Sequence, residues 1–173
     1  LSDDCFAFGG PIMTAGEALA LLENRTNIVV EPIRATLKNS AGKILAEDVI
    51  APSDVPPHNN SAVDGYAILY DDLEFDKETC LPVTGRVTAG HPLIRKFQSG
   101  EAVRIFTGGV MPEGLDTVLM QEDCCAVNNN VLIRPGISRG ANVRHAGEDI
   151  TAGNTVLKTG HRLRPQDIGM AAS

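Results

Sequence analysis

The sequence predicts a mostly β protein with a short N-terminal helix, an α+β chain, and three observations carry that prediction. Seventeen glycines and ten prolines punctuate 173 residues, a density of turn formers that suits many short strands. Apolar runs too short for helices recur between those turns. Strong helical periodicity is confined to one stretch near the start. The 43% hydrophobic content supports a real core. A chain of this length buries roughly 70% of its extended surface, so neither a metal nor a disulfide is needed to explain folding.

Taken in order, Thr14 and Glu17 form an S/T-x-x-E capping box, and Ala15, Ala18, Leu19 and Leu22 recur on one face. The helix is expected to end near Arg25 or Thr26. Strands separate it from everything that follows, so it is expected to serve a surface outside the β-rich unit, such as a dimer contact. Val29 to Leu37 reads as extended, with Pro32 favouring a sheet edge; Asn39 to Gly42 supplies a turn and Ile44 to Ile50 a second strand, together a β-hairpin. Asp54 to Asn60, with Pro56 and Pro57 adjacent, cannot donate a regular ladder and reads as a rigid crossover, placing a domain boundary near Ala51.

Short strands are then expected at Tyr66 to Tyr70, Val83 to Val87, Ala102 to Phe106, Thr117 to Met120 and Val131 to Ile133, forming a small sheet or open barrel. The acidic run from Asp71 to Glu78 reads as a solvated loop. Thr155 to Leu157 is extended, Gly160 makes a turn, and Pro165 to Ala172 begins a helix with proline in its first turn. Stopping at Ser173 with no closing cap, the sequence reads as a fragment of a longer chain.

Composition excludes several function classes. Fifteen basic residues against 22 acidic ones leave a net charge of −7, the wrong sign for neutralising nucleic-acid phosphates. No run approaches the ~20 apolar residues of a membrane span, and Asp3 and Asp4 stand where a secretory leader carries positive charge, so a cytoplasmic protein is expected. Cys5, Cys80, Cys124 and Cys125 show no C-x-x-C spacing and are expected to be reduced and unligated. Zinc-hydrolase, nucleophile-elbow, P-loop and dinucleotide motifs are absent from the sequence. His58, His91, His145 and His161 are scattered among loops, and none is assigned to catalysis.

Three polar loops remain. PPHNNSAVDGYA, from Pro56 to Ala67, sets Asn59, Asn60, Ser61 and Asp64 before a strand, where short polar side chains can grip a ligand or Asp64-Gly65 can simply turn. RIFTGGVMPEG, from Arg104 to Gly114, runs into Thr107, Gly108 and Gly109, whose missing Cβ atoms let backbone N–H groups approach an anion or close a strand. NVRHAGEDI, from Asn142 to Ile150, presents Glu148 and Asp149, which suit Mg²⁺ through hard oxygen donors or a solvated turn.

Together these loops carry a resemblance. PPHNNSAVDGYA resembles the P-x-F-D-N-S-A-M-D-G-Y-A motif of molybdopterin molybdenumtransferases, the MoeA family that includes the gephyrin E domain. IFTGGVMPEGLDTVLMQED resembles that family's I-x-T-G-A-x-x-P-x-G-A-D-A-V-V-x-x-E motif. NVRHAGEDI and a following G-x-x-L strand complete the set, with GKILAEDVIAP ahead and RPQDIGMAAS behind. The likeness runs from Ile12 onward and covers the front of the family, whose members continue into a molybdopterin-binding α/β domain and a C-terminal β domain.

The resemblance implies two β-rich subdomains, one inserted in the other: residues 28–50 and 151–173 as an elongated β region, 51–150 as the inserted domain, and a helix at 12–27 packing with the α/β domain. It implies insertion of molybdate into adenylylated molybdopterin with release of AMP, assisted by Mg²⁺, in a cleft shared between the subunits of a homodimer. Asp64, Thr107 and Asp149 fall on catalytic motif positions. Asn60, Ser61, Gly108, Gly109 and Glu148 fall on substrate-binding ones, and Asp64 and Asp149 become the Mg²⁺ ligands. A contact with the molybdopterin adenylyltransferase is a further implication. The acidic balance suggests that the basic groups contacting molybdate lie on the absent domain. His58 and Asn59 depart from the motif's aromatic and acidic residues. The alternatives are a non-catalytic scaffold of gephyrin type and a β-rich module binding a small polar ligand.

Overall fold

A computed structural model describes residues 13–173; the N-terminal residues through 12, with Asp3, Asp4 and Cys5, lie outside the described residues. Helix α1 spans Ala15–Arg25. Its capping box forms as expected: the Thr14 hydroxyl accepts from the Glu17 N–H at 3.3 Å, and the Glu17 carboxylate accepts from the Thr14 N–H at 2.7 Å. Such caps contribute about 1 kcal/mol. None of the residues of α1 is buried within this chain.

Six strands build the main sheet: β3 (Gly65–Ile68), β4 (Thr79–Val87), β5 (Ala102–Ile105), β6 (Thr117–Met120), β7 (Cys124–Val127) and β8 (Asn130–Ile133), in the order β6-β3-β5-β4-β8-β7. Only the β4–β5 pair within it is parallel. Its two outer strands, β6 and β7, are joined by the single 3-10 turn Gln121–Asp123. A link that short requires the sheet to curl until its edges approach, which is the open-barrel arrangement expected from the strand spacing.

Successive strand residues face opposite sides, and this sheet has apolar side chains on both. Tyr66, Ile68, Ala102, Leu119, Val131 and Ile133 form one cluster. Ala67, Val87, Val103, Ile105, Leu115 and Val118 form the other. Double coverage explains why β3 is buried at every position. Each fully buried Val or Ile contributes about 1.5–3 kcal/mol of transfer free energy. Between β7 and β8, Asn128 and Asn129 adopt φ of 47° and 64°, the left-handed pair that a two-residue hairpin turn needs.

The expected hairpin of residues 29–37 with 44–50 does not form. Residues 28–36 are in no strand, and Val29 and Ile33 are 91% and 70% exposed. The second half pairs instead with the far end of the chain. Ile44 bridges Arg162, β1 (Val49–Ile50) pairs antiparallel with β10 (Thr155–Leu157), and Val55 bridges Ile150. β-propensity alone misled here, because it cannot say whether a partner edge exists. These two antiparallel stretches form an arm that leads away from the sheet. Helix α2 (Pro165–Ala172) closes it, with Pro165 in the first turn and α2 packed against the turn Leu37–Asn39.

Candidate functional site

Two two-residue strands organise the loops. β2 (Asn60–Ser61) pairs antiparallel with β9 (Val143–Arg144), placing Asn60 opposite Arg144. On its other side, Ser61 N–H donates to Gly109 O at 2.9 Å, Gly108 N–H donates to Ser61 O at 2.9 Å, and Met111 N–H donates to Asn59 O at 2.8 Å. The three polar loops are therefore one backbone-bonded layer, with residues 59–61 as its middle strip.

Asp64 and Thr107 meet directly. Antiparallel pairing of Gly65 with Ile105 brings the residues just outside β3 and β5 together, and Asp64 Oδ1 accepts from the Thr107 N–H at 2.8 Å and from its hydroxyl at 2.7 Å. Those bonds hold the Asp64 carboxyl below its usual value, the backbone N–H acting most strongly and the nearby Arg104 charge adding to it. Two close backbone approaches around this contact require glycine. A Cβ at Gly65 would stand 1.7 Å from Leu119 O, and one at Gly109 would stand 2.8 Å from Phe106 O. Gly108 turns at a φ of +77°, where other residues are strained.

Asp149 takes a different partner. Arg144 donates to its Oδ1 at 2.5 Å, and to Glu148 Oε1 at 3.4 Å. The other Glu148 oxygen accepts from the His145 N–H at 2.9 Å. Asp149 thus belongs to the β9 side of the layer, Asp64 and Thr107 to the sheet side, with Asn60 and Ser61 between. Asn59, which replaces the motif's acid, still accepts: its Oδ1 takes the Ala146 N–H at 2.9 Å. Ser61 is buried and donates to Val63 O at 2.6 Å, so it braces the strip. Asn60 Oδ1 is buried and has no hydrogen-bond partner among the described residues.

Among the described residues no three His, Cys, Asp or Glu side chains gather as a metal-binding group. The donor set therefore does not form a closed protein cage. Mg²⁺ usually keeps several waters and rests on one or two carboxylates and substrate phosphates, so such an ion does not require a closed cage. Two basic residues stand near the layer: Arg144 in β9, paired with Asp149 and Glu148, and Arg104 in the adjoining strand β5. The sequence signal for Arg104 is a charged residue inside the apolar run AVRIF.

Cys80, Cys124 and Cys125 are free thiols, and burial followed by the Asp123 charge pushes the Cys124 thiol up to about 11. His161 is bonded to Asp167 in the arm, away from this layer. No described helix is long and apolar enough to cross a membrane.

A curled mixed sheet that carries a carboxylate–hydroxyl pair and an arginine-bridged acidic turn on one backbone-bonded layer defines the class: a β-rich region with a polar, carboxylate-bearing face. The profile of the MoeA N-terminal region (domain I and II) matches residues 13–173, and the chain belongs to that family. It is 38% identical over 138 residues to a molybdopterin molybdenumtransferase of Haemophilus influenzae, covering 79% of this chain and 34% of that protein. A second molybdopterin molybdenumtransferase, from Synechococcus elongatus, is 35% identical over 144 residues, covering 81% of this chain and 36% of the relative. The crystal structure of the molybdopterin biosynthesis moeA protein from Pyrococcus horikoshii OT3 superposes with a TM-score of 0.82 at 33% identity, covering 91% of this chain and 42% of that one. The chain spans about a third of the length of these curated relatives. Family and names alike support a role in molybdenum cofactor biosynthesis.

Proposed function

We propose that this chain is the β-rich front part of a molybdopterin molybdenumtransferase, which inserts molybdate into adenylylated molybdopterin and releases AMP in the cytoplasm. The observation that carries the reading is the contact of Asp64 with both the N–H and the hydroxyl of Thr107. Cleaving a phosphoanhydride calls for positioning and charge neutralisation more than for a covalent nucleophile. The lack of a catalytic triad is therefore no obstacle.

In this reading Asp64 and Thr107 orient the reacting phosphate, while Arg144 fixes Asp149 and Glu148 at the rim. Asn60 borders the substrate on the middle strip, Gly108 and Gly109 shape the turn after Thr107 with their N–H groups bonded to Ser61 O and Phe106 O, and Ser61 holds the strip. Asp64 and Asp149 would hold Mg²⁺, which when bound would neutralise phosphate charge. Residues 51–150 act as an inserted domain, and 28–50 with 151–173 as the elongated region supporting it. The apolar positions of α1 (12–27 with its flanks) pack with the remainder of the protein. A homodimer completes the cleft, and contact with the molybdopterin adenylyltransferase would deliver the substrate.

The test is molybdate-dependent AMP release by the full protein carrying Asp64→Asn or Asp149→Asn. Losses of about 10²-fold or more in kcat are expected, the scale of removing a preorganised electrostatic contact. Wild-type turnover in both variants would remove these carboxylates from the mechanism.

A further inference from the structure

Arg104 is misplaced by composition. It sits in β5 between Val103 and Ile105, both 0% exposed, and its register partners are Tyr66 on β3 and Arg86 on β4. A charge in such a strand needs compensation, and here neutral groups supply it. Nη1 donates to Gly65 O at 3.1 Å, and Nη2 donates to Gln121 Oε1. The guanidinium carbon stands 4.9 Å from the centre of the Tyr66 ring and 4.7 Å from that of Phe106.

Those contacts lie within two residues, or one hydrogen bond, of the Asp64–Thr107 pair. Gly65 and Tyr66 are the two residues after Asp64, and Phe106 precedes Thr107. Gln121, the other acceptor, donates its own backbone N–H to Asp64 O at 3.0 Å. One flat guanidinium therefore grips the chain on both sides of the contact and on a third segment behind it.

From this geometry we propose that Arg104 is a positioning residue, which fixes the separation of the Asp64 carboxylate and the Thr107 hydroxyl without itself touching substrate. The inference rests on the reading of those two groups as the reacting site. Its electrostatic side is consistent, since the Arg104 charge adds to the hydrogen bonds from Thr107 in favouring the ionised Asp64. Lysine cannot replace it. Its ammonium is a point charge on a flexible stem and lacks both the two-donor fork and the flat face that stacks on two rings.

The experiment compares Arg104→Lys, Arg104→Met and Gln121→Ala with Asp64→Asn in the full protein, measuring kcat and KM for molybdate-dependent AMP release. Arg104→Lys is expected to lower kcat about tenfold with KM within about twofold, and Arg104→Met about 10²-fold, because small misplacements of reacting groups act on the transition state. Gln121→Ala should show the same kcat-only pattern to a smaller extent. If Arg104→Met does not fold, the lysine and Gln121 variants decide. Wild-type kcat in Arg104→Lys alongside an inactive Asp64→Asn overturns the positioning role and leaves the site reading intact. A rise in KM at constant kcat also overturns it, by showing substrate contact. Full activity in Asp64→Asn overturns the site reading and this inference with it.

Discussion

In the six-stranded sheet Ile68, Val103, Ile105 and Val118 are 0% exposed, whereas in α1 and the segment after it Leu22, Val29 and Ile33 are 59%, 91% and 70% exposed. Both regions have the apolar residues of a folded domain. The sheet satisfies its own within this chain, with a cluster on each face, and the N-terminal region does not. Every candidate site residue is tied by backbone or side-chain hydrogen bonds to the sheet or to the strip bonded to it, although Thr107, Glu148 and Asp149 are themselves exposed. The arm holds that body through a narrow antiparallel ladder and anchors at its far end on the ion-paired start of α2.

The contrast can be broken most severely at Gly65, where β3 meets β6. Replacing it with alanine forces a Cβ into Leu119 O. A loss of about 4 kcal/mol or more is expected by chemical denaturation, the range reserved for core overpacking. A loss under about 1 kcal/mol would mean that the two strands are not held together as described. Next in size, Ile105→Ala is expected to cost about 2–5 kcal/mol through lost burial and a cavity. Leu22→Ala in α1, measured in this same chain, should stay within about 0.5 kcal/mol, as for an exposed position. Equal losses at the two positions would erase the difference between the regions.

A smaller effect should appear in the arm under acid. Asp167 caps α2 by accepting from the Arg164 N–H at 2.8 Å, and its carboxylate also holds the Arg164 and His161 side chains. Those groups, the Arg164 side chain first, push its carboxyl well below the ordinary 3.8. A depressed folded value means that the stabilisation is complete above the unfolded value and fades as pH falls below it. Amide protection factors in α2, taken against the intrinsic exchange rate at each pH, should therefore fall below about pH 4 while the sheet stays protected. Asp167→Asn should exchange fast already at neutral pH, with little further change in acid. An acid response of equal size in that variant would assign it elsewhere.

Local signals made much of this fold legible. The capping box placed α1, Pro165 placed α2, and the run Thr117–Met120 was read to the residue. Strand β7 was not foreseen because Cys125, Ala126 and Val127 are all exposed and show no alternation, leaving only the asparagine turn as a mark. Residues 29–37 look like a strand by propensity, yet pairing is a property of the partner, and Ile44 and Val49 find theirs across the arm. At the site, Asp64 and Thr107 stood out as polar loop residues, and the family likeness joined them. Arg104 stayed hidden because its function depends on which backbone carbonyls the curled sheet brings around it. Arg144 sat in plain view, but only the pairing of β2 with β9 shows that it bridges Asp149 to the strip.

The central claim is that Asp64 and Thr107 act as one unit, held together by the sheet, in a phosphate-processing site. A double-mutant cycle on the full protein, with Asp64→Asn, Thr107→Val and the pair, read as kcat/KM for molybdate-dependent AMP release, tests it most directly. The account predicts that the double variant is no worse than the poorer single one, a coupling of about 1–3 kcal/mol. Losses that simply add, or either single variant turning over at the wild-type rate, would contradict it.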